Sequence, residues 1–258
     1  MENLHEPADT RSMGIVHSAL RRDLERTRLV LASPPYPDGR RRRALAGHVV
    51  WMMHVLHMHH TAEDAGLWPL IRARNPSASG LLDQMDADHQ RIAPAITTVE
   101  EAARAYRHSE CARERLRNAI AGLNDVLLPH LQREEFEMMP VVGATITTAE
   151  YLAVENEYFV KPKSFTELGA EGPWIIDGAC PDDRDVILHV IPAVPRFVLL
   201  HTFGRSYRRK ATLLWEDGPA AAVPPLKASV RDAGIPPAEP TTRRNQADRY
   251  PQIGPAPM

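Results

Sequence analysis

Between residues 10 and 142, apolar side chains recur at steps of three and four, the spacing that gathers them on one face of a helix. The first run carries Met13, His17, Leu20, Leu24, Thr27 and Leu31 on its inner row. Ser-Pro-Pro-Tyr-Pro-Asp-Gly (33–39) ends it, because proline has no amide hydrogen and its ring crowds the preceding turn. A second run, from about Arg41 to Arg74, aligns His48, Met52, Val55, His59, Glu63, Gly66 and Leu70, and Asn75-Pro76 closes it. The third, from about Gly80 to His108, aligns Leu82, Met85, His89, Ile92, Ile96, Val99, Ala103 and Tyr106. Pro94 lies inside it and is expected to kink it or to mark an irregular turn. The fourth, from about Glu110 to Pro140, aligns Leu116, Ile120, Leu123, Leu127, His130, Glu134, Met138 and Val141. Four long amphipathic helices with short connections predict an all-α fold, an antiparallel up-and-down four-helix bundle over 10–142.

After Gly143 the pattern shortens. Helical spacing returns from Ala149 to Phe159 and from Val194 to Trp215, around the Gly/Pro-punctuated stretch GAEGPWIIDGACPDD. Residues 143–216 are therefore predicted to be a small, mostly helical C-terminal extension that packs on the bundle or covers one end. From Asp217 onward, 9 of 42 residues are proline and aromatics are few, so little surface is available to offset chain entropy. A disordered tail is expected over 217–258.

The apolar rows share one interruption. His17 breaks the first, His59 and Glu63 the second, His89 the third, and His130 and Glu134 the fourth. Side chains four apart on a helix lie one turn above the other, so each His–Glu pair can meet one centre. A lone histidine in such a row is usually a hydrogen-bonded core residue. Six polar groups in four rows are a different case, since no lysine or arginine stands in those rows to pair the two carboxylates. Buried unpaired, each would be strongly destabilising, and bound dications remove that cost.

The pairs also repeat. HHTAEDAGLWP (59–69) and HLQREEFEMMP (130–140) coincide at His, Glu and Pro with an offset of 71 residues, and an acid follows each Glu. His17 and His89 are 72 apart. The ligand set thus reads as two copies of one unit, a single His followed by HxxxE. Such repetition predicts two metals about a pseudo-dyad, each near two histidines, with Glu63 and Glu134 bridging. The pair His60–Asp64 has the same spacing, but Val55, Met52 and Leu70 put His59 in the apolar row. Imidazole and carboxylate donors suit iron, manganese or zinc, and the lack of thiolate disfavours copper(I). Two iron ions (Fe2+/Fe3+) are expected, with manganese or zinc less favoured, because the donor count leaves octahedral positions open for solvent or O2. Asp86, beside His89, and His60 are the candidate residues behind the ligands.

Bulk composition adds mainly exclusions. The formal net charge is -2 over 258 residues, which favours neither nucleic acid nor a membrane as partner. Two distant cysteines, Cys111 and Cys180, rule out a disulfide scaffold or thiolate zinc site and suit a reducing compartment. No signal-like segment and no stretch of 18 apolar residues occurs, so a cytoplasmic location is expected. Phosphate-loop, dinucleotide-loop and nucleophile-elbow motifs are missing.

At His17 ahead of ALRRDL, HHTAEDAGLWP, His89 in DADHQRI, and HLQREEFEMMP, the chain resembles the hemerythrin-like (HHE cation-binding) family over roughly residues 10–142. The resemblance implies iron ligands at His17, His59, Glu63, His89, His130 and Glu134. One feature departs from the oxygen carriers of that family, which pair a further histidine with that of the third helix at four-residue spacing. Met85 and Ala93 stand at those positions here. Both metals are then expected to keep an exchangeable position unless His57, His60 or an extension residue supplies a donor. Two functions follow: a module binding O2, NO or peroxide for sensing, storage or detoxification, supplied by an unidentified electron donor, or an oxidase, oxygenase or peroxidase using O2 or H2O2. A pocket beside the metals lined by residues 150–215 would favour the enzyme.

Overall fold

The computed structural model describes residues 5–189, 191–215 and 218–227. They are overwhelmingly helical, and the only β pairing among them is an isolated bridge between Pro7 and Thr147. Four long rods appear where the periodicity predicts them. The first is α1 (Arg11–Ala32). The second starts with α2 (Gly39–Ala62), where the Asp38 carboxylate caps the chain by accepting from the Arg41 amide at 2.7 Å, and continues into α3 (Trp68–Arg74). The third is α4 (Ser79–His108), which runs through Pro94 without a break. The fourth joins α5 (Arg113–Arg133) to α6 (Met139–Thr145). α4 packs against both α2 and α5, while α1 lies against α5 and α2.

Two apolar clusters fill the space between the rods. One contains Leu20 and Leu24, Met52 and Leu56, Ile92 and Ile96, and Leu123 and Leu127. The other contains Met13, Leu67, Trp68, Met85, Met138 and Val142. On every rod the histidines and glutamates singled out above fall between a residue of one cluster and a residue of the other. They therefore form a polar layer sealed by hydrocarbon on both sides.

The extension comprises α7 (Thr148–Val154), α8 (Phe165–Ile175), α9 (Pro181–His189), α10 (Ala193–Val198) and α11 (Gly204–Trp215). The first part of the punctuated stretch, residues 169–175, is helical in α8. A capping box starts that helix, Ser164 and Glu167 each binding the other's backbone. Its glycines permit close packing instead of breaking it. A Cβ on Gly169 would lie 2.4 Å from the Phe203 ring, and one on Gly172 would lie 2.8 Å from Leu199.

The rods and the extension share one core, for Trp174, Leu214, Trp215 and Ala220 join the cluster built on Leu24 and Met52. The boundary at 143 marks a change in sequence pattern, not a gap in packing. A buried polar network reinforces the junction. Asp23 on α1 accepts from Arg22 Nε (2.8 Å), His48 Nε2 (2.8 Å) and Trp174 Nε1 (2.9 Å). Arg26 bonds Asp23, Asp177 and the Val223 carbonyl. The disordered tail expected from 217 is corrected at its start. A short 3-10 turn, Pro219–Ala222, buries Ala220, and the Leu226 amide donates to the Ser18 carbonyl at 3.5 Å. The Val223 carbonyl accepting from Arg26 and the Leu226 amide donating to Ser18 tie this segment to α1, where composition alone gives it no partner. Residues 228–258 of the expected tail lie outside the described residues.

Candidate metal centre

Both glutamates stand where the helix ladder changes width. The Trp68 amide reaches back five residues to the Glu63 carbonyl, and the Met139 amide does the same to Glu134. Each opens one π turn, Glu63–Leu67 and Glu134–Met138. The next wide bond would need an amide hydrogen from Pro69 or Pro140, which proline lacks, so the turn cannot propagate. The repeat seen in sequence is thus also a repeat of backbone conformation.

The layer brings seven buried donors together in two groups. His17, His59, Glu63 and Glu134 form one, and His60, His89 and His130 the other, with the donor atoms of each group within 4.8 Å of one another. His17 Nε2 is 3.1 Å from His59 Nε2. Glu63 spans the groups: Oε1 is 3.0 Å from His59 Nε2 and Oε2 is 3.5 Å from His89 Nε2. Glu134 does likewise through Oε2, which is 3.5 Å from His17 Nε2 and 3.6 Å from His130 Nε2. All four carboxylate oxygens, together with Nε2 of His60, His89 and His130, are buried without a hydrogen-bond partner. So many converging orphaned polar atoms are expensive to bury, and bound cations would remove that cost.

Acids behind the rings set the tautomers. His17 Nδ1 donates to Glu135 Oε1 at 2.9 Å, and His89 Nδ1 donates to Asp64 Oδ1 at 2.7 Å. A carboxylate only accepts, so the proton sits on Nδ1 and each Nε2 presents its lone pair inward. Asp88 Oδ2 lies 3.6 Å from His130 Nδ1, and Arg91 and Arg133 bind that carboxylate. The acid following each glutamate therefore serves the single histidine of a neighbouring rod, Asp64 on His89 and Glu135 on His17.

Electrostatics favour the ligating forms of most rings. Burial pushes His17 down to about 4 and also lowers His60 and His130, keeping them neutral. Burial is outweighed at His89 by the Asp64 hydrogen bond, which raises it. Burial and the neighbouring Glu63 carboxylate push Glu134 well up. Glu63 is held low despite its burial, because His59, His60 and His89 surround it. Without cations the two glutamates cannot both ionise comfortably.

Not every residue expected from sequence lies here. Asp86 is corrected: it is partly exposed and paired with Arg72 at 3.0 Å, while Asp64, Glu135 and Asp88 occupy the outer positions. His60 is not behind a ligand but in the second group, its ring stacked on His89 with centroids 4.1 Å apart. Neighbouring helix residues diverge by about 100°, so His59 turns to α1 while His60 turns to α4 and α5. His54 and His57 are exposed, and His48 belongs to the Asp23 network. The repeat position matching His60 is Leu131, fully buried. One group thus has three imidazoles and the other two, with hydrocarbon where the third would be.

An all-helical chain with two histidine groups joined by paired glutamates is a metal-binding protein by its donor chemistry. It belongs to the hemerythrin HHE cation-binding domain family, whose model matches residues 11–142. No curated protein and no solved structure gives a match. Among the described residues, no helix is long and apolar enough to cross a membrane.

A cavity of about 830 Å³ adjoins the layer between the rods and the extension. Its wall includes Val16, Val55 and His59 from the rods, and Phe159, Leu168 and Leu199 from the extension. The His59 ring meets Phe159 edge to face, centroids 5.6 Å apart.

Proposed function

We propose that the chain is a non-haem diiron protein whose centre reacts with O2 or peroxide. In this reading His17 and His59 hold one iron, His60, His89 and His130 hold the other, and Glu63 and Glu134 bridge them. The observation that carries it is the convergence of orphaned acceptors on two points shared by both carboxylates. Iron supplies redox chemistry toward a bound diatomic, and the protein supplies neutral rings, fixed tautomers and a dry layer around them. Manganese or zinc would suit the same donors less selectively. The ligand module is 10–142, read as an antiparallel up-and-down bundle. Support comes from the order of the core clusters: successive rods pass between them in alternating directions.

The third imidazole changes the expectation that both metals stay open. An iron held by His60, His89 and His130 would be the more fully ligated, which would leave the exchangeable position on the His17–His59 side. That side adjoins the cavity, which favours oxidation of an organic molecule over reversible O2 carriage, with 143–216 acting as the cover. Two exposed, free cysteines fit a reducing, cytoplasmic setting.

Anaerobic loading with ferrous iron followed by metal analysis tests the centre. We expect about two irons per chain, reduced in Glu63→Gln and Glu134→Gln. Less than about one iron per chain, or unchanged content in both variants, defeats the assignment. Optical spectra on adding O2 separate the readings, since a long-lived, reversible adduct would point to carriage.

A further inference from the structure

We propose that the cavity beside His59 is a binding site for an uncharged, largely hydrocarbon organic molecule. This deepens the diiron reading and rests on it only for the meaning of His59. Drug-sized ligands occupy pockets of about 300–1,000 Å³, and the volume here, about 830 Å³, falls within that range.

The wall argues for the chemistry. Leu152, Leu168, Ile187 and Leu199 present hydrocarbon, and water in such a space would find few partners. Its charged groups are already answered. Lys163 Nζ donates to Glu171 Oε2 at 2.6 Å, both largely buried. Asp9 is bound by Arg11 Nε at 2.9 Å. Glu155 accepts from Ser12 Oγ at 2.6 Å, and burial raises its carboxyl toward the neutral form. Among the described lining residues, a carboxylate would meet no lysine or arginine that lacks a carboxylate partner, and an ammonium group would have to ionise the Glu155 carboxyl.

The cavity is built, not left over. Gly169 and Gly172 let Phe203 and Leu199 close onto α8, so the wall is tightly packed where the space is enclosed. Phe165 and Val160 line the space yet are 58% and 41% exposed, which marks its mouth. The inner end is His59, whose Nε2 faces His17 and Glu63. A hydrocarbon entering at Phe165 would come to lie against the less fully ligated metal position.

The test uses the full chain. Chelator-treated, metal-free protein is titrated with 1-aminoanthracene, an uncharged fluorophore that brightens in apolar surroundings. We expect saturable one-site binding, displaced by 1-decanol but not by decanoate or decylamine at equal concentration. Leu168→Trp and Ile187→Trp, on different helices, should each fill the space and weaken binding by about tenfold or more, with thermal melts confirming the fold. In cobalt(II)-loaded protein, 1-decanol should shift the visible cobalt spectrum. Absent saturation, displacement by either charged analogue, or full affinity in both folded tryptophan variants overturns the proposal. An unchanged cobalt spectrum overturns the placement beside His59. Failure of the metal reading appears separately, as missing cobalt uptake, and leaves the dye titration readable.

Discussion

Asp64 and Glu135 carry the clearest residue-scale consequence. Each fixes the ring of a histidine on another rod, at 2.7 and 2.9 Å, so each governs which lone pair a metal meets. Asp64→Asn and Glu135→Gln should weaken metal affinity about 10–100-fold in competition with a chromophoric chelator. Asp86→Asn should leave it unchanged, because Asp86 pairs with Arg72 at the surface. An acid after each glutamate was visible in the repeat, but its target was not, since the partner ring belongs to a different helix. Asp23 carries a second consequence. Burial would raise its carboxyl, but Arg22 and the His48 hydrogen bond outweigh this and hold it well below the ordinary range. The folded chain then binds fewer protons there than the unfolded chain, whose value is about 3.9. That stability is present above about pH 4 and is lost as pH falls toward the folded value. Asp23→Asn should cost about 3–5 kcal/mol at pH 7 in urea unfolding, with a smaller deficit at pH 3.

Among the elements, the two rods bearing HxxxE were legible as helices, yet their π turns were not. Hydrophobic spacing barely registers one extra residue in a turn; the repeated proline ahead of the next wide bond was the available signal. Gly66 shows how the extension uses this turn. A Cβ there would lie 2.4 Å from the Tyr158 ring, whereas one on Gly47, in α2, meets nothing within 4 Å. Gly66→Ala should therefore destabilise by about 1–3 kcal/mol in denaturant melts. Gly47→Ala should stabilise by about 0.5–1 kcal/mol, because an exposed helical glycine loses only entropy by being there. Equal effects at the two positions would show that Tyr158 does not pack on the turn. α8 stays helical through Gly169, Gly172 and Pro173, since local propensity is overridden where a capping box starts the helix and small residues admit close neighbours.

Over the whole molecule, the polar layer makes stability depend on metal. Two buried glutamates with orphaned oxygens oppose folding when the site is stripped, and any ion bound only by the folded chain stabilises it. Cobalt(II) at about a hundredfold excess over its dissociation constant should raise the melting temperature by about 5–10 °C, and excess chelator should reverse this. Glu63→Leu with Glu134→Leu should abolish the response while leaving the metal-free chain at least as stable, because the uncompensated carboxylates are gone.

The sequence by itself determined the four amphipathic runs, the paired HxxxE units and the donor chemistry, because periodicity and spacing along one helix are local properties of the chain. Tertiary structure alone decided that His60 joins His89 and His130, that Asp64 and Glu135 reach across to other rods, and that the extension encloses a cavity at His59. Those relations hold between residues brought together only when separate helices pack, and the angle at which each helix meets its neighbours is not encoded in its own period.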